Sequence, residues 1–549
     1  MATLEPTTSY IAELISTSNL PSITFVVTAL TLAVFYILQR RKSTVPLINP
    51  KRWFEFSDYR IKQEFVHNAI PLVKKGFAAT GNKPFRILAD SGEVTVLPPD
   101  VANEIKSNDR MSFELNTAKH FFGHLPGFEV FNATGQNMKV SKSIVQRQLT
   151  THLNKVTKPL SDEASLSLQE ILTDNKEWHE ITLKNELLQI IARISSKVFT
   201  GDELCHDKTW LDITVNYTIM AFAAADSLRM WPPYLRSIVH WFLPKCRASR
   251  AEVVRARTVI EPILKRRAEQ KAALAAQGKK APEINDAIEW FTSATTIEGF
   301  TLDPVIAQLG LSLAAIHTTG DLSTQVILDI ASHPEIIEPL RKEMIESLSE
   351  GGWKKNSLYK LKLLDSVIKE SQRMKPIASI SMNRLTTTNV TLSDGTFIPR
   401  NTATAVSSHR MWDPSVHTNP DQWDGYRFYN KRQEPGQENL SQLVSTSPDH
   451  LAFGHGQHAC PGRFFAANEI KVLLCHLLLK YDLKIVEGSM IKPFPYSFSM
   501  NANPFAPLMI RRREDVIDLD ALDAYKITIY RNLEKAKSTT PTLSLQLPD

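Results

Sequence analysis

Cys460 is the residue whose surroundings most clearly suggest chemistry, because two glycines bracket it within the stretch from Phe453 to Gly462. Pro461 opens a run with leucines at helical spacing, so the cysteine is predicted to lie at a helix N-terminus. Unpaired backbone N–H groups and the helix dipole favour a thiolate there. Gly456 and Gly462 carry no Cβ, which lets the backbone lie flat against a large planar cofactor. A buried structural cysteine in a glycine-rich turn is the alternative.

A second group of candidate residues lies in an apolar helical pattern from about 305 to 330. Small residues at 314 and 315 allow a flat cofactor to approach the helix closely. The hydroxyl of Thr318 could hold dioxygen or water and relay protons, although a helical threonine can also simply bond back to a carbonyl. His317 either relays protons or is a core histidine with satisfied hydrogen bonds.

The cysteine stretch resembles the haem-binding loop of the cytochrome P450 family, in which an aromatic residue, a glycine, a basic residue, the cysteine and a second glycine recur at this spacing. His458 stands where the family usually has arginine, and histidine can still donate to a haem propionate. The helix around Thr318 is similar to the family's oxygen-binding helix, with His317 in place of an acid. The resemblance implies a mainly α fold, the helical triangular prism with small β-sheets, that binds haem b through an axial Cys460 thiolate.

The resemblance also implies roles for residues outside the loop. Glu370 and Arg373 share one helix face and look like the family's Glu-x-x-Arg signature, which would form a structural network with Arg427. Arg384 is predicted to begin a strand-like segment after Pro376, and it matches the family's strand arginine that pairs with a haem propionate. The cofactor-contacting residues implied in this way are Cys460, His458, Arg384, Arg147, Phe453, Gly456 and Gly462.

Arg147 occupies the place of a family tryptophan-to-arginine motif that also holds a propionate. The tryptophan is absent here, and Lys142 competes with Arg147 for the role. Five further residues correspond to segments that line the substrate pocket in the family: Ile377, Ala378, Ile380, Met500 and Phe505. The alternative is that they only form part of the hydrophobic core. An apolar pocket agrees with an oily substrate.

Composition excludes several other classes of protein. The 549 residues are 43% hydrophobic and carry a net charge of only +6, which argues against nucleic-acid binding. Four widely separated cysteines suggest neither a disulfide scaffold nor a zinc site. No phosphate-cradling glycine pattern is present and no flavin reductase is fused, so electrons must come from another protein.

The N-terminal region predicts a single-pass membrane anchor. Residues 22–38 form an uncharged apolar run that would span roughly 25 Å as a helix, which suits the endoplasmic reticulum membrane. Glu5 and Glu13 precede the run and no lysine or arginine does, which argues against a cleaved signal peptide. Basic residues at 40–42 follow it, so the positive-inside rule places residues 1–21 in the lumen and the rest in the cytosol.

The remaining chain divides into a proline-rich linker (39–50), a catalytic domain (51–513) and an extension of unknown role (514–549). Hairpins are predicted where residues 85–88 and 94–97 flank a turn, and around Asp394. The aromatic and basic stretch 229–244 is either ordinary core with a loop or a second patch that enters the membrane interface.

The resemblance points to a fungal branch of the family that oxidises diterpenoids and related secondary metabolites. It implies a haem-thiolate monooxygenase that inserts one oxygen atom from O2 into a C–H bond. The implied partners are an NADPH–cytochrome P450 reductase, cytochrome b5 as an optional second donor, a lipophilic substrate and the membrane. A non-oxygenating haem-thiolate isomerase or dehydratase, or a non-catalytic haem-binding membrane protein, remains as an alternative.

Overall fold

The computed structural model describes residues 24–31, 45–55, 57–132, 137–298 and 302–522, most of which are helical. The α-helices are α1 (Tyr59–Thr80), α2 (Ala102–Ile105), α3 (Phe113–His120), α4 (Asn137–Thr151), α5 (Leu153–Leu172), α6 (Leu183–Phe199), α7 (Lys208–Arg229), α8 (Arg236–Val239), α9 (Pro244–Ala276), α10 (Ala287–Glu298), α11 (Pro304–Ser332), α12 (Ile337–Gly351), α13 (Lys355–Lys360), α14 (Lys362–Met374), α15 (Arg427–Lys431) and α16 (Arg463–Lys480). The strands are β1 (Phe85–Ala89), β2 (Gly92–Leu97), β3 (Met111–Ser112), β4 (His179–Thr182), β5 (Ile380–Thr386), β6 (Val390–Thr391), β7 (Phe397–Ile398), β8 (Ala403–Ser407), β9 (Tyr481–Ile485), β10 (Phe494–Tyr496), β11 (Ser499–Asn501) and β12 (Pro507–Arg512).

The strands form small sheets at the periphery of the helices. The largest has the strand order β1-β2-β8-β5-β3, and a three-stranded sheet has the order β4-β12-β9. Strands β1 and β2 pair antiparallel, as do β6 and β7, so both predicted hairpins are confirmed. Strand β5 pairs antiparallel with β8. It carries Arg384 in its interior, and not at its start.

Helix α11 runs through the middle of the helical layer and confirms the predicted helix at about 305–330. It begins at Pro304, and the side chain of Asp303 caps it by accepting the N–H of Val305 at 3.0 Å. Every residue from 319 to 331 is buried, where the helix packs against α6 and α14, while Ala314 and Thr318 are exposed. One face of the first half of the helix is therefore exposed, and the second half lies in the core.

At the N-terminus, the predicted anchor at 22–38 lies largely outside the described residues. Residues 24–31 are helical, and their apolar side chains Phe25, Val26, Val27 and Leu30 are exposed. None of the helices in the described ranges has the length and apolarity needed to cross a membrane.

The predicted C-terminal extension begins just after β12. Its first residues lie against the core, because the indole N–H of Trp353 donates to the Leu519 carbonyl at 2.8 Å and the Leu519 side chain is buried. Asp520 also pairs with Lys480 at 3.2 Å. Residues 523–549 lie outside the described residues.

Candidate active site

The loop that carries Cys460 is closed by hydrogen bonds of its own backbone. The Cys460 N–H donates to the Phe453 carbonyl at 2.8 Å, and the Gly454 N–H donates to the Leu451 carbonyl at 2.8 Å. Arg463 donates from Nη1 to the Cys460 carbonyl at 2.9 Å. These bonds hold the half-buried thiol in a defined place at the start of α16.

The helix after the cysteine begins later than the sequence predicts. Helix α16 starts at Arg463 with Gly462 as its N-cap, so the prediction that Pro461 opens the helix is wrong. Burial raises the pKa of the Cys460 thiol, and the N–H groups of Gly462 and Arg463 and the Arg463 charge only partly oppose that rise. The protein groups alone therefore favour the thiol form of Cys460, and the thiolate as metal ligand stays a prediction. Coordination to a metal ion is what deprotonates such a thiol.

The glycines of the loop serve two different purposes. Gly456 has φ +75°, and a Cβ there would lie 2.4 Å from the Lys106 Cβ, so this glycine is needed for packing against the end of α2. Around Gly462, in contrast, no atom of the described residues other than the glycine and its two chain neighbours lies within 4 Å of the Cβ position. A flat cofactor can lie against Gly462 without a clash. Phe453 packs on the main core from the other end of the loop.

Arg384 is a buried guanidinium with unused donors. It is 2% exposed, and its Nη1 donates to the Asn383 carbonyl at 2.8 Å. Within the described part of the chain, its Nε and Nη2 have no hydrogen-bond partner although both atoms are buried. Burial lowers the pKa of Arg384 to about 10, and nearby Glu114 opposes this. A buried cation with two free N–H groups requires an anionic acceptor, and a haem carboxylate would provide one.

Glu114 is an acid beside the loop that nothing in the sequence distinguished from other acids. It is buried at the start of α3, where it accepts a hydrogen bond from Ser112 at 3.0 Å. His458 Nδ1 lies 3.6 Å from its Oε1. Burial opposes ionisation of Glu114, but its own backbone N–H and the charge of His458 bring its pKa below the usual range. Arg384 and His458, the two predicted propionate partners, therefore both lie near one buried carboxylate.

Helix α4 brings Lys142 to the cysteine loop. The Lys142 ammonium donates to the Gln457 carbonyl, three residues before Cys460. Arg147 lies five residues further along the helix and is exposed. Of the two competing residues, the structure thus places Lys142 at the loop, and the propionate role of Arg147 stays a prediction.

Thr318 and His317 point to different surroundings. The Thr318 hydroxyl donates to the Ala314 carbonyl at 2.8 Å, and the residue is exposed although it lies in the middle of α11. His317 Nε2 lies 3.0 Å from the Val215 carbonyl of α7, so Nε2 must carry the proton and donate. Burial lowers the pKa of His317. The imidazole is therefore neutral and already partnered, which matches the core-histidine alternative.

The three residues predicted to form a structural network are in contact. Arg373 and Glu370 form a fully buried bidentate pair, with both N···O distances 2.8 Å. Arg427 Nε lies 3.0 Å from both oxygens of the same carboxylate. Glu370 thus joins α14 to the segment at the start of α15.

Two other polar residues of α14, Asp365 and Lys369, bind residues between α15 and the end of α16. These contacts were not predicted from the sequence. Asp365 accepts the N–H of Leu443 at 2.9 Å and pairs with Lys471 at 2.6 Å. The buried Lys369 donates to the carbonyls of Leu440 at 3.1 Å and Gln442 at 2.7 Å. The available signal was an amphipathic helix whose charged residues share one face. Such a pattern usually indicates solvent, but here every residue from 363 to 373 is buried.

With this geometry in place, comparison with known proteins identifies the family. A family model described as Cytochrome P450 matches residues 83–509. The chain belongs to the cytochrome P450 family.

Several curated P450 relatives are fungal. The cytochrome P450 monooxygenase hepE of Aspergillus oryzae is 48% identical over 489 residues, which are 89% of each chain. The cytochrome P450 monooxygenase 1 of Gibberella fujikuroi is 51% identical over 436 residues, which are 79% of this chain and 99% of the relative. The monooxygenase TRI1 of Fusarium sporotrichioides is 41% identical over 86% of each chain. The predicted resemblance to fungal P450 monooxygenases is confirmed, and the chain is an enzyme of this class.

A solved structure shows the same fold. The retinoic acid bound cyanobacterial CYP120A1 aligns with a TM-score of 0.62 and 17% identity, covering 86% of this chain and all of that one. The helical P450 fold with small sheets is thereby confirmed. The P450 family implies haem, and this chain fits it through the Cys460 thiol, the unpartnered Arg384 donors and the open face of Gly462.

Proposed function

We propose that this P450 is a membrane-anchored monooxygenase that inserts one oxygen atom from O2 into a C–H bond of a lipophilic, terpenoid-derived secondary metabolite. The observation that carries the proposal is that a loop-held Cys460 thiol occurs together with a buried Arg384 whose Nε and Nη2 have no hydrogen-bond partner among the described residues. The thiol can bind the metal ion of a planar cofactor, and the separate buried cation can pair with a carboxylate of the same cofactor. Haem bound through a thiolate supplies oxygen activation when it is present.

The residues around the loop would hold the cofactor in one orientation. Cys460 is the metal ligand, and Arg384 and His458 are the propionate donors, each already close to Glu114. Lys142 or Arg147 adds a further positive charge from α4. The Glu370 network lies outside this contact set, and its role is to fix the segment that leads into the loop.

Thr318 is the proposed proton donor at the substrate side. Its hydroxyl is bonded to the Ala314 carbonyl, so it would rotate away from that carbonyl to donate a proton into the open space beside the helix. His317 does not relay protons in this proposal, because its Nε2 proton is held by the Val215 carbonyl. We assign it instead to fixing α11 against α7.

Exposed apolar residues support the membrane part of the proposal. The predicted patch 229–244 carries exposed aromatic side chains, among which Tyr234 is 79% and Phe242 is 75% exposed. Trp53, just after the predicted linker, is almost fully exposed. Aromatic residues of this kind favour the membrane–water interface. We propose that the 22–38 segment anchors the enzyme in the endoplasmic reticulum with its catalytic domain in the cytosol.

Electrons would come from an NADPH–cytochrome P450 reductase in the same membrane, with cytochrome b5 as a second donor. The test is expression in microsomes with this reductase, NADPH and terpenoid extracts, followed by product masses under isotopically labelled dioxygen. We expect a product with one labelled oxygen atom that requires the reductase, and no product from the matched Cys460→Ala enzyme.

Unlabelled product formed without reductase would contradict the proposal and favour an isomerase or dehydratase. Labelled, reductase-dependent product from a lipid class other than terpenoids would contradict only the substrate class. Labelled product that persists in the Cys460→Ala enzyme would contradict the assignment of the ligand.

A further inference from the structure

Asp321 is a buried acid on α11, three residues after Thr318. It is 4% exposed. Its Oδ1 accepts hydrogen bonds from Lys184 Nζ at 2.8 Å and from the Ala502 N–H at 2.8 Å, and its Oδ2 accepts from Gln325 Nε2 at 3.0 Å. We call Lys184, Asp321 and Gln325 the Asp321 clamp.

The Asp321 clamp binds the backbone of strand β11 and of the residue that follows it. Lys184 Nζ donates to the Ala502 carbonyl at 3.1 Å, and Gln325 Nε2 donates to the Met500 carbonyl at 3.0 Å. Gln325 Nε2 also lies 3.4 Å from the Lys375 carbonyl, at the end of α14. Side chains from two helices thus meet on one short stretch of main chain.

That stretch in turn holds a second segment. The Met500 N–H donates to the Ile377 carbonyl at 2.9 Å, and the Ser379 N–H donates to the Phe498 carbonyl at 2.8 Å. We call residues 377–379 and 498–502 the wall. Ile377 is 37% exposed and Met500 is half-buried, so the wall presents apolar surface that the other described residues leave uncovered.

The wall lies next to the cysteine loop. Ser381, two residues after it, donates from Oγ to the Leu451 carbonyl at 2.9 Å and lies 3.9 Å from the Cβ position of Gly454. At its other side the wall is bonded to α11 through the Asp321 clamp, one turn from Thr318. It therefore connects the two elements that carry the proposed ligand and the proposed proton donor.

We infer that the Asp321 clamp determines substrate selectivity. Its buried residues are positioning residues that set the distance between the wall and the cysteine loop, and this distance decides which large lipophilic molecules fit. The inference rests on the proposed function, since it assigns the substrate selectivity of that same site. Asparagine at 321 would leave Lys184 without its counter-ion, and its single acceptor oxygen could not serve both the Ala502 N–H and Gln325 Nε2, so the wall would shift. A shift of about 1 Å is enough to alter which molecules bind productively.

The test compares a small and a large haem ligand on the purified full-length holoenzyme. Imidazole reports access to the iron alone, whereas clotrimazole is bulky and must also fit against the wall. For Asp321→Asn we expect imidazole Kd to stay within about twofold and clotrimazole Kd to change by about tenfold or more, both read from the haem absorption. Hydrogen exchange at residues 499–503 should accelerate by about tenfold.

The matched control is Asp286→Asn. Asp286 is also buried, pairs with Arg267 at 2.7 Å and accepts a backbone N–H from Glu289 at 2.8 Å, but it does not touch the wall. It should alter neither Kd. If the Asp321→Asn enzyme does not bind haem, the same two Kd values and the hydrogen exchange are measured for Gln325→Met. That variant removes the bond to the Met500 carbonyl and leaves Lys184 paired with Asp321.

Unchanged clotrimazole Kd together with unchanged exchange in a haem-loaded clamp variant would overturn the inference, as would equal changes for both ligands. Failure of the proposed function looks different. In that case the wild-type enzyme would give no labelled, reductase-dependent product, whatever the two Kd values of the clamp variants.

Discussion

Replacing Glu469 by glutamine is expected to remove a pH dependence from the stability of this enzyme. Glu469 lies on α16, nine residues after Cys460, and its side chain is fully buried. Its Oε1 accepts a hydrogen bond from Ser195 at 2.6 Å, and its Oε2 has no partner within the described residues. Burial raises the pKa of Glu469 to about 8, and the Ser195 bond only partly opposes that rise.

The direction in which stability changes with pH follows from the proton that Glu469 takes up on folding. The folded protein keeps the Glu469 proton up to about pH 8, whereas the unfolded chain loses it near pH 4.5. Stability from this group is therefore fully present below pH 4.5 and falls as the pH rises through 8. The full effect is about 5 kcal/mol, and roughly half of it falls between pH 5 and pH 7. For a domain of this size, that half is a shift in Tm of about 2 to 3 °C.

The assay is thermal unfolding of the holoenzyme at pH 5, 6, 7 and 8, at one scan rate. Glutamine keeps the shape and the acceptor for Ser195 but cannot ionise, so the Tm of Glu469→Gln relative to wild type should rise steadily across the series. Glu487→Gln, which removes an exposed carboxylate, is the control and should give a constant difference. A difference for Glu469→Gln that does not vary with pH would refute the reasoning, because it would mean that folding does not change the protonation of this group.

Three further predictions concern the cofactor and the proton donor. Cys460→Ala should abolish the thiolate-type absorption of the carbon monoxide complex, and retention of that absorption would contradict the ligand assignment. Thr318→Ala should keep consuming NADPH while product per NADPH falls by about tenfold or more, and an unchanged yield would count against its role as proton donor. Arg384→Leu should weaken haem binding by about 10- to 100-fold in a haem-transfer titration, with Arg384→Lys intermediate; equal haem retention in all three proteins would show that the guanidinium does not pair with the propionate.

The elements that were predicted correctly are determined by residues close to them in the sequence. Asp303 and Pro304 mark the start of α11, and glycine at 92 marks the turn of the first hairpin. The cysteine loop is recognisable because its backbone conformation depends on glycines within the loop itself, such as Gly454 at φ +69°. Local chemistry of this kind is visible in sequence without any knowledge of packing.

The parts that were missed depend on partners far away in the chain. Lys142 and Arg147 lie on one helix, and only the docking of α4 decides that Lys142 contacts Gln457. Asp321 looks like any acid in a helix until Lys184 and Ala502 are brought to it from both sides. The pKa of the Cys460 thiol depends on distant segments for a related reason, since the burial they cause outweighs the local N–H groups.

The buried polar residues of α14 affect the order in which parts of the enzyme fold during synthesis. The buried groups of this helix find their partners much later in the chain: Glu370 with Arg427, and Lys369 with the carbonyl of Gln442. Translation at about 5–20 residues per second leaves the helix without these partners for several seconds. During that interval its charges remain hydrated, so the helix cannot enter the core ahead of them. We therefore expect the segment before the cysteine loop, and with it the haem pocket, to be completed only after the chain has been made beyond Gln442.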